Sequence, residues 1–186
     1  MSAQLPDNFF YEGERYSLIR RSDGVFFSPE QYGITTDALH TGCYRGYLCT
    51  YEIVGGQLLL AGVVIQAKDV GGYPLINDAP PEFGEEASGN FVPPAYYNDI
   101  NLPISFTGSF LLGADLDGSF LFSMYEKPHW MWRKLIAIEF ADGRVQSIKD
   151  RSEEMAKIRA KKPKPVFSGG ECINADELRS MDCPET

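Results

Sequence analysis

The chain is poor in the residues most enzymes use for chemistry. Its 186 residues include two histidines, His40 and His129, and four cysteines, Cys43, Cys49, Cys172 and Cys183. No two cysteines stand as Cys-x-x-Cys, and the histidines do not complete a zinc spacing. Long apolar runs are missing too. The longest, Leu58 to Ile65, is eight residues and contains Gly62, against the ~18–20 that a membrane helix needs. The opening Met1-Ser2-Ala3-Gln4-Leu5-Pro6-Asp7 has no basic and apolar leader pattern, so a cytoplasmic protein with free thiols is the expectation. Cys172 and Cys183 could alternatively bridge a ten-residue loop.

Several motifs are also lacking. Neither Gly-x-Ser-x-Gly nor His-Glu-x-x-His occurs, and Gly55-Gly56, Gly71-Gly72 and Gly169-Gly170 fit no phosphate or dinucleotide loop. No cofactor is expected. With 17 Lys+Arg against 26 Asp+Glu the net charge is −9, which argues against nucleic-acid binding.

What is present is enough for a core. At 44% hydrophobic and 13% aromatic, the chain matches one domain of ordinary size. A single domain 1–186 is expected, with a core over about 11–150, a loop over 69–104, and a helix and tail over 151–186.

The dominant rhythm is period two. Tyr47, Cys49, Tyr51 and Ile53 alternate with Leu48, Thr50, Glu52 and Val54, and Gly55-Gly56 then leads into Gln57-Leu58-Leu59-Leu60. That pattern reads as a hairpin with a primed turn. Further hairpins are read at Tyr16–Arg21 with Val25–Ser28, at Ser105–Leu112 with Ser119–Tyr125, and at Lys134–Phe140 with Arg144–Ile148. The fold class expected is mainly β, an antiparallel curled sheet or partly open barrel. Ser152 to Lys161 reads as a C-terminal α-helix with Ser152 as N-cap, acidic residues first and basic ones last, stopped by Pro163. It would cover an end or edge of the sheet. Asn174 to Met181 reads as a further turn of helix.

Charge is segregated. From Asp69 to Glu126 there are nine acidic residues and no Lys or Arg, whereas Arg144 to Lys164 holds eight basic residues against three acidic. Val70 to Pro103 shows no strand or helix pattern, and a loop of that length is usually functional or mobile.

Candidate chemical residues each carry a plainer structural reading. His40 and Cys43 stand too close in sequence for closeness to support a nucleophile pair, and His40 reads as a loop residue. Cys49 reads as a small buried hydrophobe. Asp115-Leu116-Asp117-Gly118, with Ser119 and Glu126, resembles the start of a calcium loop. Its glycine falls at position four rather than six, so a turn is the better reading and no metal is expected. Arg45, between Tyr44 and Tyr47, would either hold an anion or pair with Glu52 or Glu139.

Cys43-Tyr44-Arg45-Gly46-Tyr47, Tyr51-Glu52-Ile53, Gly56, Leu58 and Leu60 resemble a family of uncharacterised bacterial cytoplasmic β-rich proteins. Those share an aromatic-Arg-Gly-Tyr strand, a Tyr-Glu-Ile hairpin and a later hairpin like Gly108, Tyr125-Glu126 and Leu135 to Gly143. The likeness covers roughly residues 11–150, with Tyr44 where Trp is common. It implies a bacterial cytoplasmic origin and brings no activity or site residue.

The expectation for function is a protein-binding inhibitor, similar to an immunity protein, that neutralises a basic toxin or enzyme. Its partner surface would be Glu82, Phe83, Glu85, Glu86, Tyr96, Tyr97 and Asp99. The alternative is a small-ligand-binding β-barrel whose cavity is lined by Arg45, Tyr47, Tyr51, His129, Trp130 and Trp132. A hydrolase or transferase would need His129 or Cys43 to meet a carboxylate in a cleft.

Overall fold

The computed structural model describes residues 4–22, 26–68, 73–84, 93–117 and 127–161. The strands are β1 (Asn8–Tyr11), β2 (Glu14–Arg21), β3 (Tyr47–Val54), β4 (Gln57–Ile65), β5 (Glu82–Phe83), β6 (Ala95–Tyr97), β7 (Leu102–Pro103), β8 (Gly108–Leu116), β9 (Trp132–Ala141) and β10 (Arg144–Asp150). Helix α1 (Ser152–Ala160) follows, and short 3-10 turns lie at Pro29–Tyr32 and His129–Met131.

Three hairpins turn on two residues with positive φ, as the right-handed twist of paired strands favours. Gly55 (φ 58°) and Gly56 (φ 77°) join β3 to β4, and Asp142 (φ 47°) and Gly143 (φ 72°) join β9 to β10. Both follow the sequence reading. The third, Glu12 (φ 51°) and Gly13 (φ 75°) between β1 and β2, was not expected, because Glu has no preference for this conformation.

Going round, the strands run β10-β9-β8-β2-β1-β3-β4, and β4 meets β10 again. The result is a closed seven-strand barrel with extra strands outside it. The mainly-β class stands, and two finer expectations are corrected. The barrel is closed, and it is mixed, because β1 lies parallel to β3 with Phe9 opposite Tyr51. Closure comes from the two glycine turns meeting: Leu58 N–H donates to Gly143 O (2.8 Å) and Val145 N–H to Gly56 O (2.9 Å).

Other expectations also change. β2 pairs with β1 and β8, not with 26–28, and Phe26 and Phe27 are both buried outside any strand; Val25 lies outside the described residues. β8 begins at Gly108 and pairs with β9; the expected strand at Ser119–Tyr125 lies outside the described residues. The stretch 70–103 does contain strands: β5 and β6 form a ribbon on β4, and β7 pairs with β4 as well. These are two or three residues long, too short to leave a periodic trace. The barrel starts at Asn8, since Phe9 is wholly buried.

Aromatic rings fill the interior. Phe110 meets Phe9 edge-on at 5.7 Å and has Phe26, Phe106 and Phe140 each at 4.9 Å. Each such buried ring contributes roughly 1.5–3 kcal/mol by burial, and a favourable ring pair about 0.5–1.5 kcal/mol more. The lumen is therefore packed with side chains.

A second cluster lies on the outer wall. Met155 of α1 packs with Trp130, Met131 and Leu135, bordered by Ile19, Leu111 and Trp132. The outer face of β8 leaves room for the Trp132 ring at Gly113, where a Cβ would stand 2.6 Å from it. Arg159 clamps the helix by donating to Trp130 O (2.7 Å) and Trp132 O (3.0 Å). The helix therefore covers a wall of the barrel, not an end or edge. Its N-cap is Arg151 and not Ser152, whose hydroxyl accepts from Leu135 N–H instead. The expected turn at Asn174–Met181, Cys172 and Cys183 lie outside the described residues. No helix among the described residues is long and apolar enough to cross a membrane.

Candidate functional site

Two regions bring sequence-singled residues together: one mouth of the barrel, and the β5–β6 ribbon.

At the mouth, Arg45 sits in the turn entering β3. Gly46 follows it with φ 79°, pressed so close to Asp37 O that a Cβ would stand 2.1 Å away. Only glycine fits there, and the constraint fixes where Arg45 points. Its fork takes Asp7, just before β1: Nη1 donates to Oδ2 (3.2 Å) and Nη2 to Oδ1, while Nε donates to Tyr47 O (2.7 Å). Asp7 Oδ1 also accepts from Cys49 N–H (2.8 Å). The partner of Arg45 is thus Asp7, not Glu52 or Glu139. Burial pulls the Arg45 pKa down, but the Asp7 carboxylate outweighs it and the net shift is upward.

Beside this pair Arg21 lies over the Phe26 ring, 4.6 Å from its centroid, as Arg45 lies over Tyr47 at 5.0 Å. Together with Phe27, Ser28 and Tyr51 these residues enclose a cavity of about 240 Å³. Burial raises the Tyr47 and Tyr51 hydroxyls, with Cys49 as the next contributor to each. Burial, then the Asp7 charge, raises the Cys49 thiol. Cys49 is therefore a protonated core residue, as the alternation predicted. Cys43 is also buried, with its thiol donating to Tyr47 O (3.3 Å).

Of the expected cavity residues, Arg45, Tyr47 and Tyr51 do meet. His129, Trp130 and Trp132 do not join them: the 3-10 turn and the start of β9 place Trp130 and Trp132 in the cluster under α1 on the outer wall, and His129 opens that same turn. Asp7, Arg21 and Phe26 carried no local signal, since they reach the mouth from distant stretches. His40 Nδ1 accepts from Gly42 N–H (3.1 Å), which fits a loop role.

The ribbon gathers part of the expected partner surface. Glu82 pairs across with Tyr96, and Tyr96 with Val64 of β4. Leu75, Phe83 and Tyr96 are 56%, 52% and 41% exposed. Glu82 and Asp99 are exposed as well, and neither has an ion-pair partner among the described residues; Asn98 donates to Glu82 Oε2 (3.0 Å). Tyr97 is a correction. It is buried, its neighbour's opposite in the pleat, with its hydroxyl donating to Pro74 O (2.8 Å), and it offers a partner nothing. Glu85 and Glu86 lie outside the described residues.

The acidic segment does not act as one surface. Asp115 and Asp117 each stand 3.7 Å from Arg133, and Asp117 also 4.0 Å from Arg159. Arg133 and Arg159 hold these two; Asp115 and Leu116 belong to β8 and not to the expected turn, and Gly118 lies outside the described residues.

Comparison with family models, curated proteins and solved structures finds no match to this chain.

Proposed function

We propose that this protein binds a basic protein partner on the β5–β6 ribbon and acts as an inhibitor of the immunity-protein type, neutralising a toxin or enzyme. The observation that carries the reading is a combination on one outermost ribbon. Phe83 and Tyr96 stay half exposed there, next to Glu82 and Asp99, neither of which is ion-paired with a described residue. Exposed aromatics supply anchoring area, and uncompensated carboxylates draw in and orient a cationic surface. A rigid closed barrel presents the ribbon with little ordering cost on binding.

The experiment is affinity capture at low and high salt, with wild type and a Glu82→Lys, Asp99→Lys, Tyr96→Ala variant. The reading expects a basic protein held by wild type, released as salt rises, and lost from the variant. Adding wild type to the purified partner should suppress its activity. Equal capture by both forms, or a partner whose activity is untouched, overturns the reading.

A further inference from the structure

β10 keeps an open edge in the closed barrel. It pairs with β4 at Arg144, opposite Gln57, and β4 then pairs with β7 through Leu59 and Leu60. From Gln146 to Asp150 every residue of β10 is exposed. We infer that this edge pairs with the same edge of a second copy of the chain, antiparallel about a two-fold axis at Ile148, to form a symmetric dimer.

Three observations carry the inference. The first is the direction of the backbone. Arg151 N–H donates to Leu135 O (2.8 Å), so that position is a hydrogen-bonded one in the ladder with β9. Alternate residues of an antiparallel ladder face the other way, which turns the N–H and C=O of Ile148 and Asp150 outward. Neither finds a main-chain partner on that side among the described residues.

The second is an apolar side chain without cover. Ile148 stands directly opposite Ile138, so the two share the face that lines the core. Ile138 is 0% exposed and Ile148 is 42% exposed. Ile138 has Phe110 of β8 on its far side, whereas no described strand lies beyond Ile148.

The third is self-complementarity, which selects a second copy over an unrelated strand. With Ile148 on the axis, its side chain packs on its own counterpart, and its N–H and C=O exchange bonds with the same groups across the axis. Lys149 then falls opposite Ser147, and Asp150 opposite Gln146, towards the Arg144 end of the other copy. No like charges face each other, and acidic and basic ends meet. Lys149, a residue type that discourages edge pairing, meets no second cation here. The bulge lies at Val145–Ser147, next to the seam, and leaves Ser147 to Asp150 in regular register. The β5–β6 ribbon pairs with Val63–Ile65, at the other end of β4, and takes no part in this contact.

A contact one strand long buries less than the ~1,200 Å² at which stable interfaces begin, so the dimer is reversible. Sedimentation velocity of the full-length protein from about 10 µM to about 1 mM reads it. Wild type should pass from monomer towards dimer over that range. Ile148→Lys and Ile148→Glu should each weaken association at least about tenfold, because like charges then meet at the axis. An equimolar mixture of the two variants should associate again, since opposite charges now meet there. Ile148 is exposed, so both variants should fold, which an unchanged unfolding midpoint checks. Glu82→Lys should dimerise as wild type does.

The inference is overturned by a wild type that stays monomeric over the whole range, or by variants that dimerise as wild type does. It is also overturned by a mixture that stays monomeric, which would remove the two-fold axis from Ile148. Dimerisation lost in Glu82→Lys would put the contact on the ribbon and overturn it as well.

Discussion

Asp7 and Arg45, 38 residues apart, form a two-pronged ion pair that ties the entry of β1 to the entry of β3. The pair stands where the parallel β1–β3 pairing begins, and Asp7 also satisfies the Cys49 N–H within that pairing. Replacing Asp7 by Ala leaves a half-buried guanidinium and a buried N–H without acceptors. The expected loss is about 2 kcal/mol, less than a fully buried pair would cost because the Arg45 side chain is 38% exposed. Asp7→Asn should cost less, since its amide oxygen still accepts from Cys49. Urea unfolding midpoints check both.

Gly143→Ala should destabilise by at least about 2 kcal/mol, from a positive φ compounded by close contact. The added Cβ would stand 2.1 Å from Ile104 O and 2.6 Å from Gln57 Nε2, in the closing seam. Gly55→Ala, with nothing within 4 Å, should cost about 1 kcal/mol. Thermal unfolding of the two variants side by side tests the difference.

Met155→Ala should cost about 2–4 kcal/mol, because Met155 is 1% exposed between the helix and the outer wall. Arg159→Ala frees two carbonyls and should loosen α1 selectively. Amide exchange should then rise across Ser152–Ala160 while the strands keep their protection.

At high pH, the tyrosines set stability. Burial, then the neighbouring Glu14, pushes Tyr16 up to about 12; burial, then Tyr73, pushes Tyr97 to about 12. Both sit above the unfolded value of 10.0. Their contribution is therefore complete below pH 10 and is lost as pH climbs toward 12. Tyr16→Phe should flatten the fall in melting temperature over that range. Absorbance at the tyrosinate band should show a late-titrating fraction that merges with the rest on unfolding.

At low pH, the sign reverses. Hydrogen bonds hold three carboxyls below their ordinary values: Lys134 acts on Glu14, Ser152 on Asp150 and Arg151 on Glu154. Each lends stability above its unfolded value, and that stability is lost as pH falls through its lowered native one. All three are solvent-accessible, so the effect should shrink in high salt. An acid titration of the melting temperature at two salt concentrations checks this.

Reading the sequence located the hairpins whose turns use residues that tolerate positive φ, Gly55-Gly56 and Asp142-Gly143, and it placed α1. It missed the β1–β2 turn because Glu12 carries no such preference. It gave Val25–Ser28 to a strand because consecutive Phe26 and Phe27 look like strand residues, although both enter the core from irregular chain. The parallel β1–β3 pairing and barrel closure depend on contacts between distant segments, which no local pattern encodes.

The candidate residues divide in the same way. Arg45, Tyr47 and Tyr51 share one strand entry, so their grouping was legible. Asp7 and Arg21 reach the mouth only through the fold. Tyr96 and Tyr97 are identical by type and adjacent, yet the pleat sends one outward and buries the other. The assignment of Tyr97 to a partner surface failed on that alternation alone.

The seam where Gly56 and Gly143 meet has a consequence for biosynthesis. A nascent polypeptide emerging from the ribosome can form β3 with β4 early, but the sheet stays an open ribbon until Arg144 and Val145 have left the exit tunnel. Until then β9 presents a bare edge that another chain can occupy, while β4 is uncovered only at its Gln57 end, because β6 and β7 pair with it further along. A premature stop or proteolytic nick just ahead of Gly143 would therefore release a sticky open sheet in place of a smaller barrel.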